Sequence, residues 1–292
     1  NIRISRPASS EQRLQFLLTS GIPSLLWKLS LPNVAGVGVM TAVTFFDAWF
    51  VGHLGNQALA SLALVFPFQA LMQMMAGGAI GGGITSAIAR ATGSGNFTVA
   101  KKIAFNGLLI GVCMSLIYTI ILGFFSTNVF SLLSSSKEII SDAEKYAQVG
   151  FGGAIITWLF FAFSSILRGF GDTYTPAKAI IIAGFLQVIL SGIFTLGVGG
   201  IVDLGIVGPA VAMIISHALA VFFLIPKIIG SNSLLKRRDF AVDWRAIFEI
   251  LKVGGLGLVN SITIALTIVI VTSFVDDFGV DALAGYGLGS RL

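Results

Sequence analysis

The chain has 292 residues, 55% of them hydrophobic and only 11% charged, with a formal net charge of +5 and a mean hydropathy of +0.94. Soluble domains carry roughly 25% charged residues, so these figures exclude an ordinary water-soluble enzyme, a nucleic-acid binder and a disordered chain. Glycine is abundant, at 35 residues, which in so apolar a chain points to close helix contacts within a bilayer.

Residues 1–24 carry neither an initiating Met nor a signal-peptide pattern. Within them, residues 8–20 read as a short interfacial helix with Leu14, Phe16, Leu17 and Leu18 turned to lipid. A spanning helix needs roughly 20 mostly apolar residues. Seven stretches qualify, at 26–51, 59–79, 103–125, 149–167, 179–198, 206–228 and 253–275, and an eighth starts near Ala282. Each is apolar on all sides, which suits helices and not the alternating strands of a barrel. The expected fold is an all-α integral membrane protein. A six-helix lobe occupies 25–229, a polar connection 230–250, and the start of a second lobe 251–292. The break at Gly289-Ser290-Arg291-Leu292 leads us to expect a piece of a longer protein. Cys113 is the only cysteine, so no intrachain disulfide can form.

The basic residues sort by side. Arg3, Arg6, Arg13, Lys28, Arg90, Lys101, Lys102, Arg168, Lys178, Lys227, Lys236, Arg237, Arg238, Arg245 and Lys252 fall together, against Lys137 and Lys145 opposite. Positive residues collect on the cytoplasmic side, so the N-terminus is expected there, in the cell's inner membrane. Lys236-Arg237-Arg238 reads as a topology determinant, with anionic lipid as its other partner. Most acids, from Glu138 and Asp142 to Asp276, Asp277 and Asp281, lie on the other side.

The chain also repeats itself at an offset of 224 residues. Residues 28–64 align with 252–288 without a gap, and seven of the eight identities lie within 50–64. Six spans separate the copies, so both run the same way through the membrane. That is the parallel arrangement found in some secondary transporters, and it implies a six-plus-six bundle.

Four stretches resemble the multidrug and toxic-compound extrusion (MATE) transporters. They are Asp47-Ala48-Trp49-Phe50-Val51-Gly52-His53-Leu54-Gly55-Asn56-Gln57-Ala58-Leu59-Ala60; Ala89-Arg90-Ala91-Thr92-Gly93-Ser94-Gly95-Asn96; Leu167-Arg168-Gly169-Phe170-Gly171-Asp172-Thr173-Tyr174-Thr175-Pro176; and Gly205-Ile206-Val207-Gly208-Pro209-Ala210-Val211-Ala212. The resemblance covers nearly the whole chain as the family's N-terminal lobe plus its seventh helix. It implies a secondary active multidrug exporter that exchanges H+ or Na+ for amphipathic, often cationic, compounds. It would act as a monomer when full length, in contact with lipid, and bind no nucleic acid.

The third stretch has its own physical logic. Gly169 and Gly171 permit a tight turn with positive φ. Asp172 or Thr173 can cap the next helix, and Pro176 suits its first turn. Arg168 is expected at the cytoplasmic face, reaching helix-end carbonyls or lipid phosphates and bracing the lobe without touching cargo.

Asp47 is the acid that stands out, because an ionisable residue inside a span is a functional candidate by default. The repeat carries Val271 at the matching place, so the shared fold does not demand the acid. The resemblance implies that Asp47 is the ion-coupling carboxylate. Where many members of the family carry Asn-x-x-x-Asp-Pro on the fifth helix, this chain has Gln187 and Ser191, which at i,i+4 share one face, and the second acid is gone. Sodium wants several oxygens and charge compensation, whereas a proton needs one carboxylate, so protons are favoured. His217, in the sixth span, is a candidate proton relay.

Gln69 and Gln73 share a face of the second span, and exposure of an amide to lipid is costly. With Met72, Trp49 and Trp158 they are expected to line a cavity that holds drugs by dispersion and cation–π contact. The run 77–83 lacks both the preceding strand and the Gly-Lys-Ser/Thr ending of a phosphate loop, and reads as helix packing or a kink. No catalytic constellation, cofactor motif or metal site is legible. Two rivals are a flippase for lipid-linked oligosaccharides, which would need a basic central cavity, and a non-transporting seven-helix receptor or assembly subunit.

Overall fold

The computed structural model describes residues 21–197, 203–228 and 241–290. The expected interfacial helix at 8–20 and the basic run 236–238 lie outside them. All regular structure among the described residues is helical: α1 Ile22–Gly52, α2 Asn56–Gln73, α3 Ile80–Gly93, α4 Phe97–Tyr118, α5 Ser126–Phe130, α6 Lys137–Gly150, α7 Ala154–Gly169, α8 Tyr174–Leu196, α9 Gly208–Ile228, α10 Trp244–Asp276 and α11 Val280–Gly289. Among the described residues, six helices are long and apolar enough to cross a membrane, or seven if α6 and α7, bent by 50° at their junction, form one span.

Two differences from the expected spans have clear causes. The second span is longer than its apolar core, running from Asn56 to Gly93 through a π-helical turn at Met74–Ala79. Its glycines face neighbours. A Cβ on Gly77 would lie 2.9 Å from the Phe161 ring, and one on Gly83 would strike the Ile250 carbonyl of α10. A π-turn inserts an extra residue into the helix, which re-phases α3 against α10 and α7. Second, the fourth span is preceded by the amphipathic α6, whose Ile139, Ala143, Tyr146 and Ala147 are buried. The polar connection also ends early, because Asp243 caps α10 and residues 244–250 are already helical.

Contacts at the two ends agree with the charge sorting. At the basic end, Arg90 pairs with Glu249 at 3.1 Å, Lys102 with Asp243 at 3.6 Å and Lys227 with Asp172 at 3.8 Å. At the acidic end, Asn56 donates to Asp281 at 2.8 Å, and the Ser135 N–H donates to Asp276 at 3.3 Å. The repeat is geometric too. Gly55 (φ 108°, ψ 172°) and Gly279 (φ 94°, ψ 176°), equivalent at the 224-residue offset, both sit in the glycine-only region just before a helix.

α1 packs along α8, and α8 along α9, while α7 holds α3, α4 and α9. This leaves a hollow between α1, α2, α7 and α8.

Candidate functional site

The hollow has a volume of about 590 Å³, within the range of small-molecule sites. On α1 its wall runs from Gly36 to Asp47, and on α8 from Ala177 to Gln187. Eleven residues of helix at 1.5 Å each make it about 16 Å long, parallel to the bundle. Gln69, Gln73, Met74, Gly77 and Gly78 line it from α2 and the π-turn, Tyr146 from α6, and Phe161 and Arg168 from α7.

Asp47 is buried, with only 6% of its surface exposed. The Gln187 amide donates from Nε2 to its Oδ2 at 3.2 Å. The i,i+3 and i,i+4 geometry of α1 brings Val43, Asp47 and the ring of Phe50 to one side, against Gly184, Gln187 and Gly192 of α8. Small residues on α8 let the two helices approach closely enough for this bond. Elsewhere on the wall, Tyr146 donates to Gln69 Oε1 at 3.2 Å, and Gln69 donates to the Met213 sulfur of α9 at 3.5 Å.

Of the residues expected to couple ions, Asp47 and Gln187 meet at the wall. Ser191 lies one turn further along α8, fully buried, and its Oγ has no hydrogen-bond partner among the described residues. His217 does not reach the hollow. It is buried between α7 and α9, 3.2 Å from Thr157 Oγ1 and stacked on Phe160 at 4.7 Å.

Of the expected cavity residues, Gln69 and Gln73 line the hollow and three others do not. Trp49, two residues and thus about 200° around the helix from Asp47, is half-exposed on the opposite face, edge-on to His53. Met72 turns into the core, and Met74 takes its place on the wall. Trp158 is fully buried beside Tyr118, while Phe161 is the α7 aromatic at the wall.

The α7–α8 turn departs from expectation in two respects. Gly171 has φ 88°, but Gly169 does not have a positive φ. Gly169 is instead a point of close approach, where a Cβ would lie 2.7 Å from Ile88 Cβ. Asp172 caps α8, accepting from the Thr175 N–H at 3.0 Å and its hydroxyl at 2.7 Å, and Pro176 follows within the first turn. Arg168, in the last turn of α7, does more than reach a carbonyl of its own helix end. Its Nε donates to Ser164 O, one turn back, at 3.3 Å, and the side chain lines the hollow. Sequence reasoning missed Tyr146, Met74 and Phe161 as wall residues, and gave Arg168 a bracing role only.

Comparison with known proteins places this geometry in context. The MatE family model matches residues 32–193. The chain is 28% identical over 282 residues to the FAD transporter of Shewanella oneidensis, covering 94% of this chain and 61% of that protein. It is 27% identical to the probable multidrug resistance protein YoeA of Bacillus subtilis, covering 90% and 57%. Among solved structures, the MATE multidrug transporter DinF-BH in complex with R6G superposes with a TM-score of 0.84 at 25% identity, covering 94% and 61%. A transporter of the MOP superfamily from Pyrococcus furiosus does so with a TM-score of 0.78 at 26% identity, covering 90% and 57%. The chain thus spans about three-fifths of the length of the relatives it matches.

Proposed function

This chain belongs to the MatE family of multi-pass membrane transporters, which are not enzymes, and from that premise we propose that it serves a secondary multidrug exporter driven by protons. The basic end faces the cytoplasm of the cell's inner membrane, and the complete protein works as a monomer in lipid. The hollow takes small amphipathic compounds.

One observation carries the reading: a buried carboxylate sits in the wall of the hollow, hydrogen-bonded to an amide. Gln187 can serve either state of Asp47, since its N–H donates to a carboxylate and its C=O accepts from a carboxylic acid. Each state favours a different seating of α1 on α8, and hence a different shape of hollow. Proton entry then displaces cargo by as much as the two states differ in affinity for it. Sodium is the second candidate. It would need Asp47 and neutral oxygens such as those of Gln187 and Ser191 to replace its water. The flippase reading asks for several basic groups about the hollow, and among the described residues Arg168 is the one charged base on its wall.

The test is dye efflux by the full-length protein under separately imposed proton and sodium gradients, with Asp47→Asn beside the wild type. Efflux should follow the proton gradient and vanish in Asp47→Asn, with expression and melting temperature retained. Unchanged efflux in that variant removes Asp47 from the mechanism, and efflux that follows sodium alone overturns proton coupling.

A further inference from the structure

The hollow carries two charged residues on its wall among those described, and they stand apart. Asp47 lies toward the acidic end of the bundle. Arg168 comes from the last turn of α7, beside the turn that starts α8, and so enters near Gly36 and Ala177 at the basic end. Between Asp47 and Gly36 α1 rises about 16 Å.

Arg168 is also available. The described carboxylates of the basic end are engaged elsewhere: Asp172 by Lys227, Glu249 by Arg90, and Asp243 by Lys102. The hydrogen bond from Arg168 Nε to Ser164 O uses one of five guanidinium donors. It also ties the side chain to its own helix, where Arg168 lines the hollow. A guanidinium on the wall of a partly enclosed site, without a carboxylate partner among the described residues, is matched to a planar oxyanion by geometry and charge.

We propose that Arg168 is an anion-recognition residue of this hollow, and that its preferred cargo is dipolar, with a cationic or hydrogen-bond-donating end toward Asp47 and Gln187 and a carboxylate or similar oxyanion toward Arg168. The amides of Gln69 and Gln73 lie between, where they can bond a polar midsection. The inference rests on the hollow being the cargo site, as argued above, and adds the chemical class of the cargo. A compound with a single positive charge uses only the Asp47 end and leaves the guanidinium unanswered.

The test uses the full-length protein and one pair of probes. These are a coumarin dye bearing a quaternary ammonium at one end and a carboxylate at the other, and its methyl ester, which keeps the cation and loses the anion. Export by proteoliposomes gives KM and kcat, and fluorescence polarisation on detergent-solubilised protein gives binding. The wild type should favour the dipolar dye by about tenfold in KM, the scale of one charge-assisted hydrogen bond. Arg168→Gln should remove that preference by raising KM for the dipolar dye alone, at little cost in kcat, and Arg168→Lys should keep much of it. Equal affinity for the two dyes in the wild type, or equal losses for both in Arg168→Gln, overturns the proposal. If Arg168→Gln does not fold, the wild-type ratio and Arg168→Lys decide. Polarisation separates this claim from the exporter reading: Asp47→Asn should stop export of both dyes yet retain tighter binding of the dipolar one, and loss of that distinction counts against the role of Arg168.

Discussion

Gly208→Ala tests how tightly α9 must seat on α8. Gly208 opens α9, and a Cβ there would lie 2.6 Å from the backbone N of Thr195 and 2.8 Å from its Cα. Carbon atoms rest at about 3.5–4.0 Å, so α9 must retreat from α8 by about 1 Å. The obstacle is backbone, and no rotamer change relieves it. Overpacking of this kind costs about 1–3 kcal/mol, against a helix-propensity gain of up to about 1 kcal/mol from replacing glycine. The net expectation is a loss of roughly 1–2 kcal/mol. Gly38→Ala is the control, since Gly38 is exposed on α1 with nothing within 4 Å of its Cβ position, and it should melt at or above the wild type. The assay is thermal unfolding of the purified full-length protein, with dye efflux in parallel. Efflux should fall in Gly208→Ala because α9 carries Met213, the acceptor that holds Gln69 at the wall. A Gly208→Ala protein as stable as the Gly38→Ala control would refute the close seating.

Two further outcomes follow from polar groups at the basic end. Asn106 is fully buried, donates to Lys102 O and Ala241 O, and accepts from the Asp243 N–H. Asn106→Leu should cost about 2–3 kcal/mol, the penalty for stranding the backbone partners it leaves, and limited proteolysis just ahead of Trp244 should quicken; an unchanged cleavage rate would mean that α4 does not anchor the start of α10. Asp172→Ala removes the cap of α8 and the partner of Lys227, and should lower stability by about 1 kcal/mol. Asp172→Asn should recover most of that loss, because capping needs the oxygen more than the charge; equal losses in both variants would mean that the ion pair with Lys227 stabilises this turn more than the cap does.

What the sequence makes legible depends on how much phase information a segment holds. The spans stand out because a run of about 20 apolar residues has few alternative fates, and the ends stand out because charge sorts by side. The pairing of Asp47 with Gln187 follows from family resemblance and helix spacing. The side of α1 that bears Trp49 does not, because that helix is apolar all round and shows no preferred face from which to set its rotation. The same lack of phase misplaces Met72 on α2. α6 is legible in principle: Ile139, Ala143, Tyr146 and Ala147 recur at helical spacing, and only a search restricted to long apolar runs passes over it. The place of Arg168 is not legible, since the reach of its side chain back along α7 depends on where the hollow lies.

The repeat leads to a stronger conclusion once side chains are placed. Ala63 and Gly287 are equivalents at the 224-residue offset, and they touch: a Cβ on Gly287 would collide with that of Ala63. In a structure related by a two-fold axis, a residue meets its own equivalent only where the axis passes. The axis therefore runs between α2 and α11 at this level, and small residues are required there because each helix faces a copy of itself. On this geometry α11 stands in the second copy of the repeat as α2 stands in the first. The hollow beside α2 then lies off the axis, within one lobe, where the walls supplied by α1, α7 and α8 suffice to place Asp47 and Arg168 at its two ends.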